Sequence, residues 1–275
     1  MKIIYSGLQH DRLNLKGGYS FEHNNFYKSL KCLSGVEVIY FRYERILEVG
    51  REKMNQELLE AVRRGKPDLF FAFMYTDELD FKTLDEIKKI TKNVAWFSDD
   101  HWRFDNYSKY YAPHFSWVVT TYSKAVEKYK NLGMRNVIHS QWAANVHAYR
   151  PCTEKQNINI SFVGNWNANR GKIIKELRKK NIKVQVWGHG WNNGRVRDNN
   201  DVVGIISGSK ISLGLNPPSS YFGIKPFVRL FFRRSGKFFI PDFWHFFGNL
   251  REWRQKRIPQ IKARTFEKFT GQCRI

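Results

Sequence analysis

Cysteine is scarce in this 275-residue sequence: Cys32, Cys152 and Cys273 are far apart and odd in number. That spacing offers neither a metal-ligand pair nor a disulfide framework, so a reducing, cytoplasmic setting is the simplest. Long apolar runs are missing too. No window reaches the roughly 18 uninterrupted apolar residues of a membrane span, and "MKIIYSGLQHDR" meets polar residues too early for a signal-peptide core. Acid is in short supply, with 25 Asp+Glu against 47 Lys+Arg and a net charge of +22. Short internal repeats and low-complexity tracts are absent. What is present is globular in character: 42% hydrophobic and 16% aromatic residues, in a length that accommodates two modest domains.

The positive charge is uneven. Residues 217–275 carry 13 Lys+Arg and 3 Asp+Glu, so +10 of the net charge falls in the last 59 residues. A field of that sign attracts nucleic acid, anionic lipid or phosphorylated ligands without choosing among them.

Strand-like and helix-like runs alternate. "KIIYSGL", "VEVIYFRY", "PDLFFAFM", "NVAWFS", "WVVTTY" and "NVIHSQW" read as strands, interleaved with the helical patterns "YSFEHNNFYKSLKCL", "REKMNQELLEAVRRG", "FKTLDEIKKIT" and "SKAVEKYKNLG". The rhythm pauses around "NVHAYRPCTEKQ" and restarts with "INISFVG", "NRGKIIKELRKKN", "IKVQVWGHG", a short strand or loop "DVVG", and "SKISLGLN". The alternation predicts an α/β fold of two Rossmann-like domains with parallel sheets, residues 1–150 and 151–275. Residues 217–257 break it, interleaving aromatic and basic residues without clean spacing, and read as an insertion in the second domain.

In parallel sheets of this kind ligands bind beyond the carboxyl ends of the strands. Several motifs fall there. "VAWFSDDHWRFD" ends a buried strand in Asp99, Asp100 and His101. Neighbours on an extended chain point opposite ways, so one acid is expected in the cleft, where it could accept a proton, and the other as a helix cap or partner of Arg103. Gly17 and Gly18 stand between the first strand and a helix, either letting backbone amides approach an anion or forming an ordinary loop. Gly164 and Asn165 end another strand ahead of Arg170 and Lys172. Cations at a helix N-terminus oppose the dipole, a conflict that a bound phosphate resolves, unless both are solvated surface charges. Gly188, His189 and Gly190 permit close backbone approach. In "RIPQIKARTFE", Lys262, Arg264 and Glu267 could hold a diphosphate and a ribose, or pair along one helix.

Taken in order, "GGYSFEHNNFYKSLKCL", "WFSDDHWRF", "TTYSKAVEKYKNLGMRNVIHSQWAANVHAYRP", "ISFVGNWNANR", "KISLGLN" and "QIKARTFE" resemble the CgeB-like group of GT-B glycosyltransferases. The resemblance implies two nucleotide-fold domains facing a cleft and metal-independent sugar transfer from a nucleotide-sugar donor to a glycan or lipid-linked acceptor, with no cofactor. It implies donor contacts from Gly164, Asn165, Arg170, Lys172, Gly188, His189, Gly190, Asn216, Lys262, Arg264 and Glu267. Asp100 and His101, then Asp99, are implied to face acceptor or sugar. After "TFE" the family pattern continues through further strands and helices, whereas this sequence ends "KFTGQCRI", which implies an incomplete second domain with an exposed sheet edge and raises an inactive truncated form as an alternative.

The aromatic-basic stretch reads either as a peripheral patch for an anionic membrane surface on the cytoplasmic side or as packing on the second domain. A non-enzymatic nucleic-acid binder is a further alternative suggested by the charge, but no recognised nucleic-acid motif supports it.

Overall fold

The computed structural model describes residues 1–16, 18–150, 156–192, 196, 199–216, 227–236 and 238–255. The described residues of Met1–Gln141 and Ile224–Gln255 form one compact unit, and those of Trp142–Gly223 form another.

The first unit is built on six parallel strands: β1 (Lys2–Gly7), β2 (Glu37–Arg42), β3 (Leu69–Phe73), β4 (Lys92–Phe97), β5 (Trp117–Thr120) and β6 (Val137–His139), in the order β2-β1-β3-β4-β5-β6. Ile4 is paired with Ile39 on one side and Phe70 on the other, and Ala95 lies between Ala72 and Val118. Six helices connect the strands: α1 (Lys28–Lys31), α2 (Ile46–Gly65), α3 (Phe81–Ile90), α4 (Asp100–Arg103), α5 (Lys109–Tyr111) and α6 (Ser123–Asn131). Helix α2 seats Met54, Leu58 and Val62, spaced four apart, fully in the core. Burying a leucine such as Leu58 contributes about 1.5–3 kcal/mol. The helix stops where Lys66 takes a left-handed conformation and its amide donates to the Val62 carbonyl at 2.9 Å.

The order of the strands fixes where a ligand can bind. From β1 the chain moves outward to β2, then crosses back to β3 on the other side. At such a reversal the loops leaving β1 and β3 diverge and open a crevice.

The second unit repeats the theme on three parallel strands, β7 (Ile158–Val163), β8 (Gln185–Trp187) and β9 (Ser209–Ser212), ordered β8-β7-β9. Helices α7 (Ala168–Lys179) and α8 (Asn199–Ser207) accompany them. Adjacent residues of β7 feed two small cores, because successive side chains on a strand face opposite ways. Phe162 packs with Ile174, Val184 and Val186, while Val163 packs with Tyr149, Val202 and Ile206. The protein is thus α/β with parallel sheets, as the alternation predicted.

Two expectations are corrected. "DVVG" is helical, within α8, because Val202 and Ile206, one turn apart, both fill the core beside Val163; packing outweighs the β-propensity of the valines. In the aromatic-basic stretch the described residues are regular: β10 (Phe232–Ser235) and β11 (Phe238–Pro241) form an antiparallel hairpin, followed by α9 (Phe246–Gln255). They belong to the first unit, not the second. Doublets such as Phe231-Phe232, Arg233-Arg234 and Phe238-Phe239 mask the period of two that marks a strand. The expectation of an incomplete second domain falls on residues after Gln255, outside the described residues.

Candidate functional site

In the first unit a cavity of about 300 Å³ opens beside the reversal in strand order. Glu22, on the connection from β1 to β2, lines it together with Phe73 to Asp77 at the end of β3 and Ser98 and Asp99 at the end of β4. Asn106 and Tyr107 complete the wall from a π-helical turn, Phe104–Ser108. Glu22 immediately precedes a second π-helical turn, His23–Tyr27. Turns of this rare kind recur at functional sites.

The acidic doublet divides, with the members exchanged relative to the sequence expectation. Asp99 faces the cavity. Asp100 is fully buried instead, and the Tyr129 hydroxyl donates to its Oδ2 at 2.8 Å. Burial raises the Asp100 carboxyl from its ordinary value to about 6, against the opposing influence of hydrogen bonds from Ser108, Thr120 and Tyr129. Helix α4 begins at Asp100, so this side chain is turned into the sheet–helix interior, whereas Asp99 is left at the strand end. Neither acid supplies a side-chain cap. The Asp99 backbone carbonyl accepts from the amides of Trp102 and Arg103 at 3.0 and 2.8 Å. His101 is partly buried with its ring edge-on to Tyr122, and it is not among the residues lining the cavity. Arg103 pairs with neither acid: its guanidinium donates to the Tyr75 carbonyl at 2.7 Å and lies 3.8 Å from the centre of the Tyr107 ring.

Glu22 is the residue that sequence reasoning missed. Burial lifts its carboxyl to about 7. Hydrogen bonds from its own amide and from Ser20 work against the rise, and the charges of Asp11 and Asp99 add to it. A carboxyl group poised there is half ionised at neutral pH and suited to taking up a proton. The available signal was an acid within the first turn of the helix after the β1 strand end, behind Gly17-Gly18. Gly18 is described, with its carbonyl accepting from the Asp11 amide at 3.4 Å; Gly17 lies outside the described residues.

The hairpin and α9 form the opposite wall, contributing Arg229, Arg233, Arg234, Asp242, Asn249 and Glu252. They are tied to the loop after β3 by specific bonds. Ser235 donates to Asp77 at 2.9 Å, the Gly236 amide donates to the Thr76 hydroxyl at 3.0 Å, and Arg233 approaches Asp77 at 3.5 Å. Arg51 approaches the same carboxylate at 3.4 Å from α2. On α9, Asn249 and Glu252 accept from Asn106. Arg234 lies 5.2 Å over the Tyr75 ring and donates to the Gly236 carbonyl at 2.9 Å. The wall therefore presents guanidinium groups opposite two carboxyl groups, an arrangement able to hold an anionic or hydroxyl-rich ligand while a proton moves.

In the second unit the strand ends bring together Gly164, Asn165, Gly188, His189, Gly190 and Arg170. The Gly164 amide donates to the Trp187 carbonyl at 2.9 Å, and Trp191 donates back to the Gly164 carbonyl at 2.8 Å. Gly188 is at φ +127°, and a Cβ there would meet the Gly164 carbonyl oxygen at 2.5 Å, so glycine is required on both counts. Gly190, at φ +86°, leaves a Cβ position 2.9 Å from Trp166. His189 is exposed, and its carbonyl accepts from the Trp166 amide at 2.8 Å.

At the N-terminus of α7, Arg170 is held by backbone carbonyls. Its guanidinium donates to the carbonyls of Asn165 at 2.6 Å and Leu215 at 3.2 Å and lies 5.3 Å from the Phe162 ring centre. Burial lowers its pKa from the usual value. It staples the ends of β7 and β9 rather than standing as a solvated charge. Asn167 caps the helix by accepting from the Arg170 amide at 2.9 Å. Lys172 is exposed, and Asn216 is partly buried just beyond β9. Lys262, Arg264 and Glu267 lie outside the described residues.

No family model matches the chain, and no curated protein matches it. Among solved structures, the apo form of the lipopolysaccharide outer core galactosyltransferase WaaB is similar over 74% of this chain and 70% of that chain, with 11% sequence identity and a TM-score of 0.43.

Proposed function

We propose that the chain is a glycosyltransferase of the CgeB-like, GT-B kind, moving a sugar from a nucleotide-sugar donor to a hydroxyl of a glycan or lipid-linked acceptor. The observation that carries this reading is Glu22, poised near neutral pH, in one cavity with Asp99 beside the strand-order reversal of the first sheet. An acceptor hydroxyl seated against Glu22 gives its proton to the carboxylate as its oxygen bonds to the anomeric carbon. The bond from that carbon to the diphosphate breaks, and its electron pair leaves with the nucleoside diphosphate. Asp99, in the same cavity, holds the Glu22 carboxyl up by its negative charge. A single displacement of this kind inverts the anomeric configuration.

In this reading the glycine-lined ends of β7 and β8 receive the donor. Gly188 and Gly190 keep side chains away from the strand ends, so the backbone can approach a diphosphate, and Lys172 is free to meet its charge. Lys262, Arg264 and Glu267 are the candidates for the remaining phosphate and ribose contacts. Arg170 holds that site in shape.

The test is calorimetric titration with UDP-, GDP- and dTDP-sugars, followed by measurement of nucleoside diphosphate release with the sugar that binds. Glu22→Gln is expected to retain donor binding and slow transfer by about 10²–10⁴-fold. Binding of none of the donors, or an undiminished rate in Glu22→Gln, overturns the assignment.

A further inference from the structure

Besides the side chains that line the cavity, the described residues of 227–255 carry an aromatic surface that nothing in the transfer chemistry requires. Its aromatic side chains touch one another in a continuous chain. Phe231 contacts Phe227, Phe243 and Phe246 at ring separations of 5.6, 6.1 and 5.4 Å, and Phe246 contacts Phe247 at 5.7 Å. Much of this cluster is in solvent, with Phe227 60% exposed, Phe243 61% and Phe247 82%, and Trp244, beside Phe243 in sequence, is 95% exposed. Scattered exposed apolar residues are ordinary, but a contiguous aromatic patch marks a surface that meets something.

The charges say what it meets. Both acids of the described segment, Asp242 and Glu252, are turned inward, with exposures of 5% and 8%. Asp242 is held by His245 at 2.6 Å and Glu252 by Asn106. Of the arginines, Arg229, Arg233 and Arg234 line the cavity, whereas two others do not. Arg254 is exposed, and Arg251 keeps 67% of its side chain in solvent while approaching Asp105 at 3.7 Å. Among the described residues of the segment, the charges left outside the cavity are therefore cationic and accompany aromatic rings. An interfacial element on anionic lipid needs this pairing, rings entering at headgroup depth and guanidinium groups meeting phosphates. Tryptophan and phenylalanine next to arginine suit that boundary, where one side is apolar and the other wet. Helix α9 has ten residues, and no helix among the described residues is long and apolar enough to cross a membrane, so the element would lie on a bilayer rather than span it.

We infer that this face, led by Phe243, Trp244 and Phe247 with Arg251 and Arg254, seats the protein on an anionic lipid bilayer. Because the same hairpin and helix wall the cavity, docking brings the cavity close to the headgroup layer, where a lipid-linked acceptor would present its hydroxyl. The surface is independent of the proposed transfer, and its assay needs no turnover.

The experiment is sedimentation of the full chain with phosphatidylcholine vesicles and with phosphatidylcholine–phosphatidylglycerol vesicles, alongside single-stranded DNA and a measurement of oligomeric state. Binding to the anionic vesicles alone is expected, weakening as salt is raised. The double variant Trp244→Ser, Phe247→Ser should bind those vesicles about tenfold or more weakly, with an unchanged melting curve because both side chains stand in solvent. Trp244 fluorescence, isolated by difference against Trp244→Phe, should be quenched by brominated lipid. Arg254→Gln with Arg251→Gln should lower affinity without removing quenching. Equal binding to both vesicle types, or unaltered binding by the aromatic variant, overturns the inference. Capture of DNA without vesicle binding does so too, as does loss of a dimer on substitution without vesicle binding.

Discussion

In the proposed reading, side chains supply the chemistry at the reversal point of the six-stranded sheet: Glu22 and Asp99, with arginines of residues 229–234 in the same cavity lining. At the ends of β7 and β8 the backbone does, through glycines whose conformations and close approaches exclude any side chain, with Arg170 spent on carbonyl groups. Both sites stand at the same place on the same kind of sheet. On the proposed reading, the parallel sheet sets where a ligand binds, while the residues of the loops decide whether the site handles a proton or cradles an anion.

The largest expected effect is on the first site. Glu22→Gln removes the proton acceptor and should lower kcat by about 10²–10⁴-fold. Activity of the unaltered protein should rise with pH through about 7, where Glu22 ionises, and the variant should lack that limb. A pH–rate profile checks both. Next, Gly188→Ala forces a side chain against the Gly164 carbonyl at positive φ and should destabilise the second unit by about 3 kcal/mol. Hydrogen exchange should show lost protection over 158–187 and unchanged protection over β1 to β4. Equal loss in both units would mean that they unfold as one, and the contrast between them would be one of chemistry alone.

A smaller effect is expected from Asp100→Asn. The buried carboxyl binds its proton more tightly when folded, with a pKa near 6 against 3.8. The native state therefore holds the proton over the pH range in which the unfolded chain has lost it. Stability from this group is present below about 4, falls as pH rises to about 6 and is then level. The asparagine variant should lack that slope, a difference of about 2–3 kcal/mol across the window by chemical denaturation, while keeping most of its activity. A collapse of kcat with intact folding would return Asp100 to the reacting centre. The smallest effect is electrostatic: Asp99→Asn removes a negative neighbour of Glu22 and should move the rising limb of the pH–rate profile toward lower pH.

The strands were legible in the sequence because a strand covered on both faces reads as an apolar run, as in "PDLFFAFM" and "NVAWFS". The glycines of "VWGHGW" were legible for a related reason, since few positions outside tight approaches need Gly-X-Gly. The hairpin was not, because its doublets hide alternation, and helix α8 was not, because its valines favour strands in isolation. Asp99 and Asp100 could be seen to diverge but not which one would turn inward. That depended on where α4 starts and on Tyr129 arriving from α6 to receive the buried carboxyl. Glu22 acquires its character from burial and from Asp99 and Asp11, each distant in sequence or on another loop.

By itself the sequence determined the local periodicities, hence the parallel α/β elements, the surplus of positive charge and the places where glycine is obligatory. These are properties of neighbouring residues and survive in any short stretch. Tertiary structure decided which carboxyl groups share a cavity, that the described residues of 227–255 wall the first unit, that Asp242 and Glu252 are buried there while Arg251 and Arg254 stay in solvent, and that Arg170 serves as a staple. Solvation and Coulomb interactions depend on what surrounds a group in space, and that is set only when distant segments pack together.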